Sequence, residues 1–323
     1  MAQAVTEAPT LAGLLADGGW HRGPALAEAL GVSRAAVSAR VADLRARGLD
    51  VFSVAGRGYR LAAPLELLDS AAIRAALPAD VGVLVDTIDV RERLDSTNAE
   101  LARTPVTGTA ALLAEYQSAG RGRGARGWVS PFGANLYLSV SAPLGAPRAP
   151  IGALSLAVGV ALADALTAFG ARDIGLKWPN DLWAGGRKLG GILIEHRGEI
   201  GGGARVIVGI GLNLTMQTVD IDQPWTRLAD HMDRLGSRNA VAGVVLGGVL
   251  RALDGFQSQG FEPFQARWPV FDVARDAPVR VIEGDGEQVG IARGIGPDGA
   301  LQVEIGGRTR PVYSGDVSLR LGA

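Results

Sequence analysis

Residues 175–198 read GLKWPNDLW-AGG-RKLGGILIEHRG. Two apolar runs flank Ala184-Gly185-Gly186, and a glycine pair between such runs is a tight-turn signal, so the stretch reads as a hairpin. LLAEYQ (112–117) and ANLYLSV (134–140) before it, and VIVGIGLNL (206–214) after it, read as further strands, while residues 151–169 carry a helical apolar pattern. Adjacent strands joined by tight turns argue for an antiparallel or mixed sheet with helices on one face, an α+β layer.

On the N-terminal side, Gly23-Pro24 marks a helix start, Leu26 and Leu30 lie one turn apart, and Gly31 breaks the helix. Ser33 is the expected N-cap of a second helix, in which Val37, Val41 and Leu44 share one face before Gly48 ends it. VFSV-AGRG-YRL then reads as strand, turn, strand. Two helices across a short glycine turn, followed by a hairpin, predict a winged helix-turn-helix over 1–62. Its seven arginines against five acids make it mildly basic. Arg34, Ser38 and Arg40 project from the second helix and Arg57 from the wing, a thin set for reading bases. Residues 63–85 predict a helical connector closed by Pro78, and 86–270 hold the alternating strands and helices. Beyond 271 short strands split by Gly-Asp-Gly, Pro-Asp-Gly and Gly-Gly turns predict a β-barrel of about five strands.

The 323 residues are 47% hydrophobic and 20% charged, so the chain buries a core and is not disordered. There is no cysteine, which excludes disulfides and thiolate chemistry. The net charge of −1 excludes a protein that coats nucleic acid, so DNA contact belongs to one domain. No basic and apolar leader opens the chain, residues 151–169 are interrupted by Asp164, and residues 240–250 are too short to span a bilayer; the expectation is no membrane contact and a cytoplasmic protein. Of 32 basic residues only Lys177 and Lys188 are lysines, and asparagine occurs five times, three of them in or beside the two densest motifs. In a chain that otherwise uses arginine, a lysine marks a place for a compact point charge on phosphate or carboxylate.

Three segments carry chemistry. In Gln117-Ser118-Ala119-Gly120-Arg121-Gly122-Arg123-Gly124-Ala125-Arg126-Gly127-Trp128, four glycines alternate with three arginines after a strand. Such a loop brings N–H groups and guanidinium forks to an anion. It is not a P-loop, since no GK[ST] follows, and Pro131 comes where a dinucleotide fold needs a helix. Lys177-Trp178-Pro179-Asn180-Asp181 and Lys188-Leu189-Gly190-Gly191 lie on the paired strands, so Asp181 and Lys188 face one site, with glycines against which a ligand can lie. Asp95-Ser96-Thr97-Asn98 is a polar run at a helix start.

These segments resemble the biotin protein ligases, and the whole chain is similar to the bifunctional form that also represses the biotin operon. The resemblance rests on LDSTNAEL, AEYQSAGRGRGARGWVSPFGANLYLSV, KWPNDLW with RKLGGILIE, GIGLNL, the N-terminal winged helix and ARGIGPDGAL…GDVSLR. It implies a class II synthetase-like α/β ligase core followed by an SH3-like β-barrel, and a reaction in which biotin and ATP form biotinyl-5′-adenylate before a lysine of a biotin carboxyl carrier protein domain is acylated. By position, Ser96, Thr97, Asn98 and Gln117 would line the biotin head-group pocket, with Gly120, Gly122 and Gly191 giving backbone contacts. Arg121 and Arg123 would belong to a closing loop, Lys188 would meet the biotin carboxylate and α-phosphate, and Asp181 would orient the acceptor lysine. Arg126, Trp128, Lys177, Asn180 and Asn213 fall on the nucleotide side, with Trp225 a candidate for stacking on adenine and Asp316 and Arg320 where the barrel meets ATP. Mg²⁺ is expected with ATP, without a nameable ligand. Operator DNA, contacted through Ser33, Arg34, Ser38, Arg40 and Arg57, and a homodimer formed when adenylate is bound complete the set of partners. The chain departs from the family at Gly124-Ala125, where the glycine is displaced by one residue, and its recognition helix lacks Asn, Lys and Gln. Two other readings are open: a biotin-sensing repressor with weak ligase activity, and a lipoate-type ligase.

Overall fold

The computed structural model describes residues 9–145, 148–198, 204–217, 221, 223–283, 286–313 and 317–321. The N-terminal unit comprises α1 (Leu11–Leu15), α2 (Gly23–Ala29), α3 (Arg34–Ala46) and the antiparallel wing β1 (Val51–Val54) and β2 (Gly58–Leu61). Ser33 caps α3 by accepting the Ala36 N–H at 3.2 Å. Val37, Val41 and Leu44 form the buried stripe, and Gly48 ends the helix in the left-handed region at φ 95°. Their core is completed from outside the unit by Phe132, and the Phe132 N–H donates to the Arg47 carbonyl at 2.9 Å.

Helix α4 (Ser70–Ala75) is the helical part of the segment that follows, and Leu68, Ile73, Leu77, Val81 and Val85 of that segment belong to the main core. The central layer is built from β3 (Thr87–Leu94), α5 (Thr97–Arg103), β4 (Ala110–Gln117), β5 (Asn135–Pro143), α6 (Leu154–Ala168), β6 (Ile174–Lys177), β7 (Asp181–Ala184), β8 (Arg187–Arg197), β9 (Arg205–Asn213), α7 (Arg238–Gln259) and α8 (Glu262–Arg267). The sheet order is β3-β4-β5-β9-β8-β7-β6, with β3 and β4 parallel and every other pair antiparallel, so the sheet is mixed.

Residue alternation divides its two faces. Leu113, Leu138, Ile210 and Ile192 form one row under α6 and α7; Leu112, Ser139, Gly209 and Leu193 form the next row on the opposite face, which carries α5. The stretch expected as one strand, GLKWPNDLW, bends at Trp178–Asn180 into β6 and β7, because Pro179 has no N–H for a ladder.

Helix α7 runs for 22 residues, twice the length expected from its apolar centre. Ile151–Ala168 and Arg238–Gln259 are both long and apolar enough to cross a membrane, but 56% and 72% of these windows are buried, and they pack on each other over the sheet as core helices. Gly248 permits that packing, since a Cβ there would stand 3.1 Å from Leu162 Cδ2 of α6, and Gly243 admits the end of α4, where a Cβ would stand 2.7 Å from Ala76 Cβ. A buried ion pair pins the base of α7: Arg238 Nη1 donates to Glu115 Oε2 at 2.9 Å, while Glu115 Oε1 accepts the Leu68 N–H.

The C-terminal strands β10 (Pro278–Glu283), β11 (Gly286–Ile295), β12 (Leu301–Ile305), β13 (Arg308–Val312) and β14 (Val317–Leu321) form a five-stranded antiparallel sheet ordered β13-β12-β11-β10-β14. Val279, Val281, Ala292, Leu301 and Val303 extend the main core into it. Its turn at Gly299 reaches the central layer, where the buried Trp178 Nε1–H donates to the Gly299 carbonyl at 3.1 Å.

Candidate active site

A cleft opens on the α5 face of the sheet. Its floor begins at the start of α5. Ser96 caps the helix by accepting the Ala99 N–H, and the first turn then directs Thr97 and Asn98 inward, all three being buried. Gln117, at the end of β4, accepts from the Thr97 N–H (2.9 Å) and hydroxyl (3.2 Å) through Oε1 and donates to Ser130 Oγ through Nε2 (3.1 Å). Ser139 lies within 2.7 Å of the Thr97 hydroxyl and 2.5 Å of Asn98 Oδ1. This is a buried hydrogen-bonding surface with fixed amide orientations, suited to a small polar ring.

The far end is set by a β-bulge. Asp181 pairs with Gly191 and Trp183 with Lys188, with one extra residue in β8 between them. In a regular strand, residues 188 and 191 point to opposite faces; the bulge brings Lys188 onto the face of Asp181 and Gly191. Lys188 Nζ stands 2.9 Å from Asp181 Oδ1, with the two side chains 14% and 19% exposed. The backbone of Lys188 is held by residues 224–226: its N–H donates to Pro224 and its carbonyl accepts from Thr226.

The glycine-arginine loop covers the cleft. It closes on itself through Trp128 N–H to Gly120 carbonyl (2.8 Å) and Gly122 N–H to Arg126 carbonyl (2.7 Å), and turns at Gly124 with φ 64°. Arg121, Gly122, Arg123, Arg126, Gly127 and Trp128 all face the cleft. The Trp128 ring rests on Gly211, where a Cβ would collide with it, beneath the Lys188 ammonium at 5.6 Å from the ring centroid. Gly120 is required by the close passage of the Trp128 carbonyl, 2.6 Å from where its Cβ would be.

Most of the expected residues therefore meet in one cavity: Ser96, Thr97, Asn98, Gln117, Arg121, Gly122, Arg123, Arg126, Trp128, Asn180, Asp181, Lys188 and Gly191. Others do not line it. Lys177 sits 4.9 Å over the Trp183 ring. Asn213 is buried and donates to the Thr226 carbonyl at 3.0 Å, so its contact is with the segment that holds Lys188. Trp225 bridges to Lys188 through its backbone, beside the cleft. Asp316 lies outside the described residues, and Arg320 is placed only as a position in β14 opposite Arg280.

Sequence reasoning missed Ser139, Gly209, Gly211 and Glu195. A Cβ at Gly209 would collide with the Asn98 carboxamide, and alternate glycines inside a strand were a readable sign of close approach. Glu195 Oε2 accepts from Asn98 Nδ2 (2.7 Å) and Arg121 Nη2 (3.1 Å).

On the winged unit, Arg34 and Ser38 line a groove with the wing, and Arg40 and Arg57 are exposed. The Ser33 hydroxyl is engaged in its cap. Arg60 lies between the Trp20 and Phe52 rings, 5.2 and 5.3 Å from their centroids, and Arg57 stacks on Trp20 at 5.6 Å.

A glycine-arginine loop, a lysine-aspartate pair and a buried amide floor thus line one cleft. The chain belongs to the biotin/lipoate A/B protein ligase family, whose model matches residues 90–213; a biotin protein ligase C terminal domain matches 277–320 and an HTH domain 13–60. It is 43% identical over 317 residues to the bifunctional ligase/repressor BirA of Salmonella typhimurium, covering 96% of this chain and 97% of that protein. It is 37% identical over 242 residues to the biotin–[acetyl-CoA-carboxylase] ligase of Mycobacterium tuberculosis, covering 71% and 88% of the two. Among solved structures, the Aquifex aeolicus biotin protein ligase in complex with biotin and ATP superimposes with a TM-score of 0.63 at 26% identity, over 74% of this chain and 99% of that one.

Proposed function

We propose that this chain joins biotin to a lysine of a biotin carboxyl carrier protein domain through biotinyl-5′-adenylate, and that it represses transcription in response to biotin. The observation that carries the reading is the Lys188–Asp181 pair at one end of a cleft whose other end is a buried hydrogen-bonding floor. The biotin ring occupies the floor of Ser96, Thr97, Asn98 and Gln117, which directs its carboxylate toward Lys188. In the first step a carboxylate oxygen bonds to the α-phosphorus of ATP and pyrophosphate leaves. Two anions meet there, and the Lys188 ammonium with Arg123 and Arg126 of the lid offsets the developing charge. In the second step the acceptor amine bonds to the acyl carbon, AMP leaves, and the amine loses a proton; Asp181 orients that amine. Closure of the lid keeps water from the anhydride.

Among the described residues, no cluster of three His, Cys, Asp or Glu side chains forms a metal cage. A Mg²⁺ is accordingly assigned to the ATP phosphates it arrives with. For DNA, Arg34, Ser38, Arg40 and Arg57 give one unit few base contacts, and two units on a palindrome supply the second half-site. A core-to-core homodimer promoted by bound adenylate provides that pairing, and sedimentation with and without biotin and ATP tests it. Substrates of this kind and the absence of cysteine suit the cytoplasm. Incubation with ATP, biotin and an apo carrier domain tests the ligase: one biotin of added mass on the carrier, with pyrophosphate released, is the expected result, and an unmodified carrier refutes it.

A further inference from the structure

Glu195 has no part in the reaction outlined above. It stands seven residues beyond Lys188 on β8 and shares the cleft face of that strand with Gly191 and Leu193. A single oxygen, Oε2, accepts one donor from the floor, Asn98 Nδ2 at 2.7 Å, and one from the lid, Arg121 Nη2 at 3.1 Å. Floor and lid are thus joined through one carboxylate at the end of the cleft away from Lys188. A negative group in a site that collects cations for anionic ligands works against binding unless the anion sits elsewhere, and the phosphate end belongs to Lys188, Arg123 and Arg126.

We propose that Glu195 is a positioning residue of the ligation reaction, a latch that holds the Arg121 arm of the lid onto the head-group floor. The proposal rests on the ligase reading. With Nδ2 committed to Glu195, the Asn98 carboxamide keeps its oxygen toward Ser139 and Gly209. Lifting the lid breaks the Arg121–Glu195 pair, so the lifetime of the intermediate beneath it depends on that pair.

The test uses the full chain loaded with tritiated biotin and ATP, then chased with unlabelled biotin, and reads release of biotinyl-adenylate. Glu195→Gln keeps an oxygen for Asn98 and removes the charge that holds Arg121. Its release is expected to be roughly two- to fivefold faster than the parent's at low ionic strength, the range of a half-exposed ion pair. Added salt raises the parent's rate by a larger factor than the variant's and narrows the gap between them, since the variant lacks the Arg121–Glu195 pair that screening weakens in the parent. Arg121→Gln accelerates release by a similar factor, and the double variant goes no further, whereas general loosening of the site would make the two effects add. A parent that yields no first-turnover pyrophosphate overturns the ligase reading and the latch with it. A parent that loads while Glu195→Gln releases at or below the parent's rate, or a double variant with additive effects, overturns the latch alone.

Discussion

Replacing Phe132 by alanine should release the winged unit from the catalytic layer. Phe132 is 2% exposed and is the bulkiest buried side chain in the core of that unit, although it belongs to the segment that follows the lid. Truncating a buried phenylalanine costs about 3–5 kcal/mol. A unit of some fifty residues, at roughly 0.05–0.15 kcal/mol per residue, is stable by only about 2.5–8 kcal/mol. The loss is therefore a large part of what holds it. Hydrogen exchange reads this directly: amides of α3 should exchange on the order of 10²- to 10³-fold faster, and DNA binding should fail, while pyrophosphate release with biotin and ATP persists. If α3 exchanges as in the parent and the melting curve is unmoved, Phe132 is not the keystone of that core.

Lys188→Arg should lower adenylate formation by about 10²-fold or more without loss of fold, because a planar guanidinium, paired to Asp181 and stacked on the Trp128 ring, does not bring the compact point charge of the ammonium to the phosphate; pyrophosphate release within a few-fold of the parent would exclude this. Arg123→Gly should give a leaky ligase, seen as biotin on an unrelated lysine-rich protein mixed with enzyme, biotin and ATP; bystander labelling at the parent level together with lost adenylate synthesis would instead place Arg123 in the chemistry. The Asp95 carboxyl is held down to about 2, first by its hydrogen bonds from Arg103 and then by the Ser96 N–H. A lowered carboxyl stabilises above its unfolded value of 3.8 and loses that contribution as the pH falls toward 2; Asp95→Asn should flatten that part of the acid-unfolding curve, and an unchanged curve would remove the assignment.

The elements that were legible in the sequence are those in which local chemistry and tertiary packing agree. The Val37, Val41, Leu44 stripe and the glycine turn of the wing are of this kind, as is the 184–186 turn that pairs β7 with β8. Helix α7 was read short because its apolar run stops at Leu250, before the polar positions Arg251, Asp254, Gln257 and Ser258; Gly243, Gly247 and Gly248 lie within the stretch that was read, and their reason is the approach of Ala76, Pro78 and Leu162, which no local pattern reveals. The side-chain sets of the cleft followed from motif and resemblance, but their connections did not. Whether Asn213 faces a ligand or the Thr226 carbonyl depends on where residues 224–226 return. Glu195 looked like any charged residue near a strand end, and only the packing of α5 and the loop gives it two partners.

The placement of the two lysines makes this chain a reporter of its own occupancy. Lys188 is paired to Asp181 inside the cleft and Lys177 lies over Trp183 on the adjoining hairpin, and the sequence has no other ε-amine. A mild acylating reagent added from solution can therefore mark, besides the N-terminal amine, only these two atoms. Protection of Lys188 against such a reagent measures how much of the protein holds a ligand, with no label introduced, and the same chemistry warns that amine-coupled immobilisation on a sensor surface would draw on the active site itself.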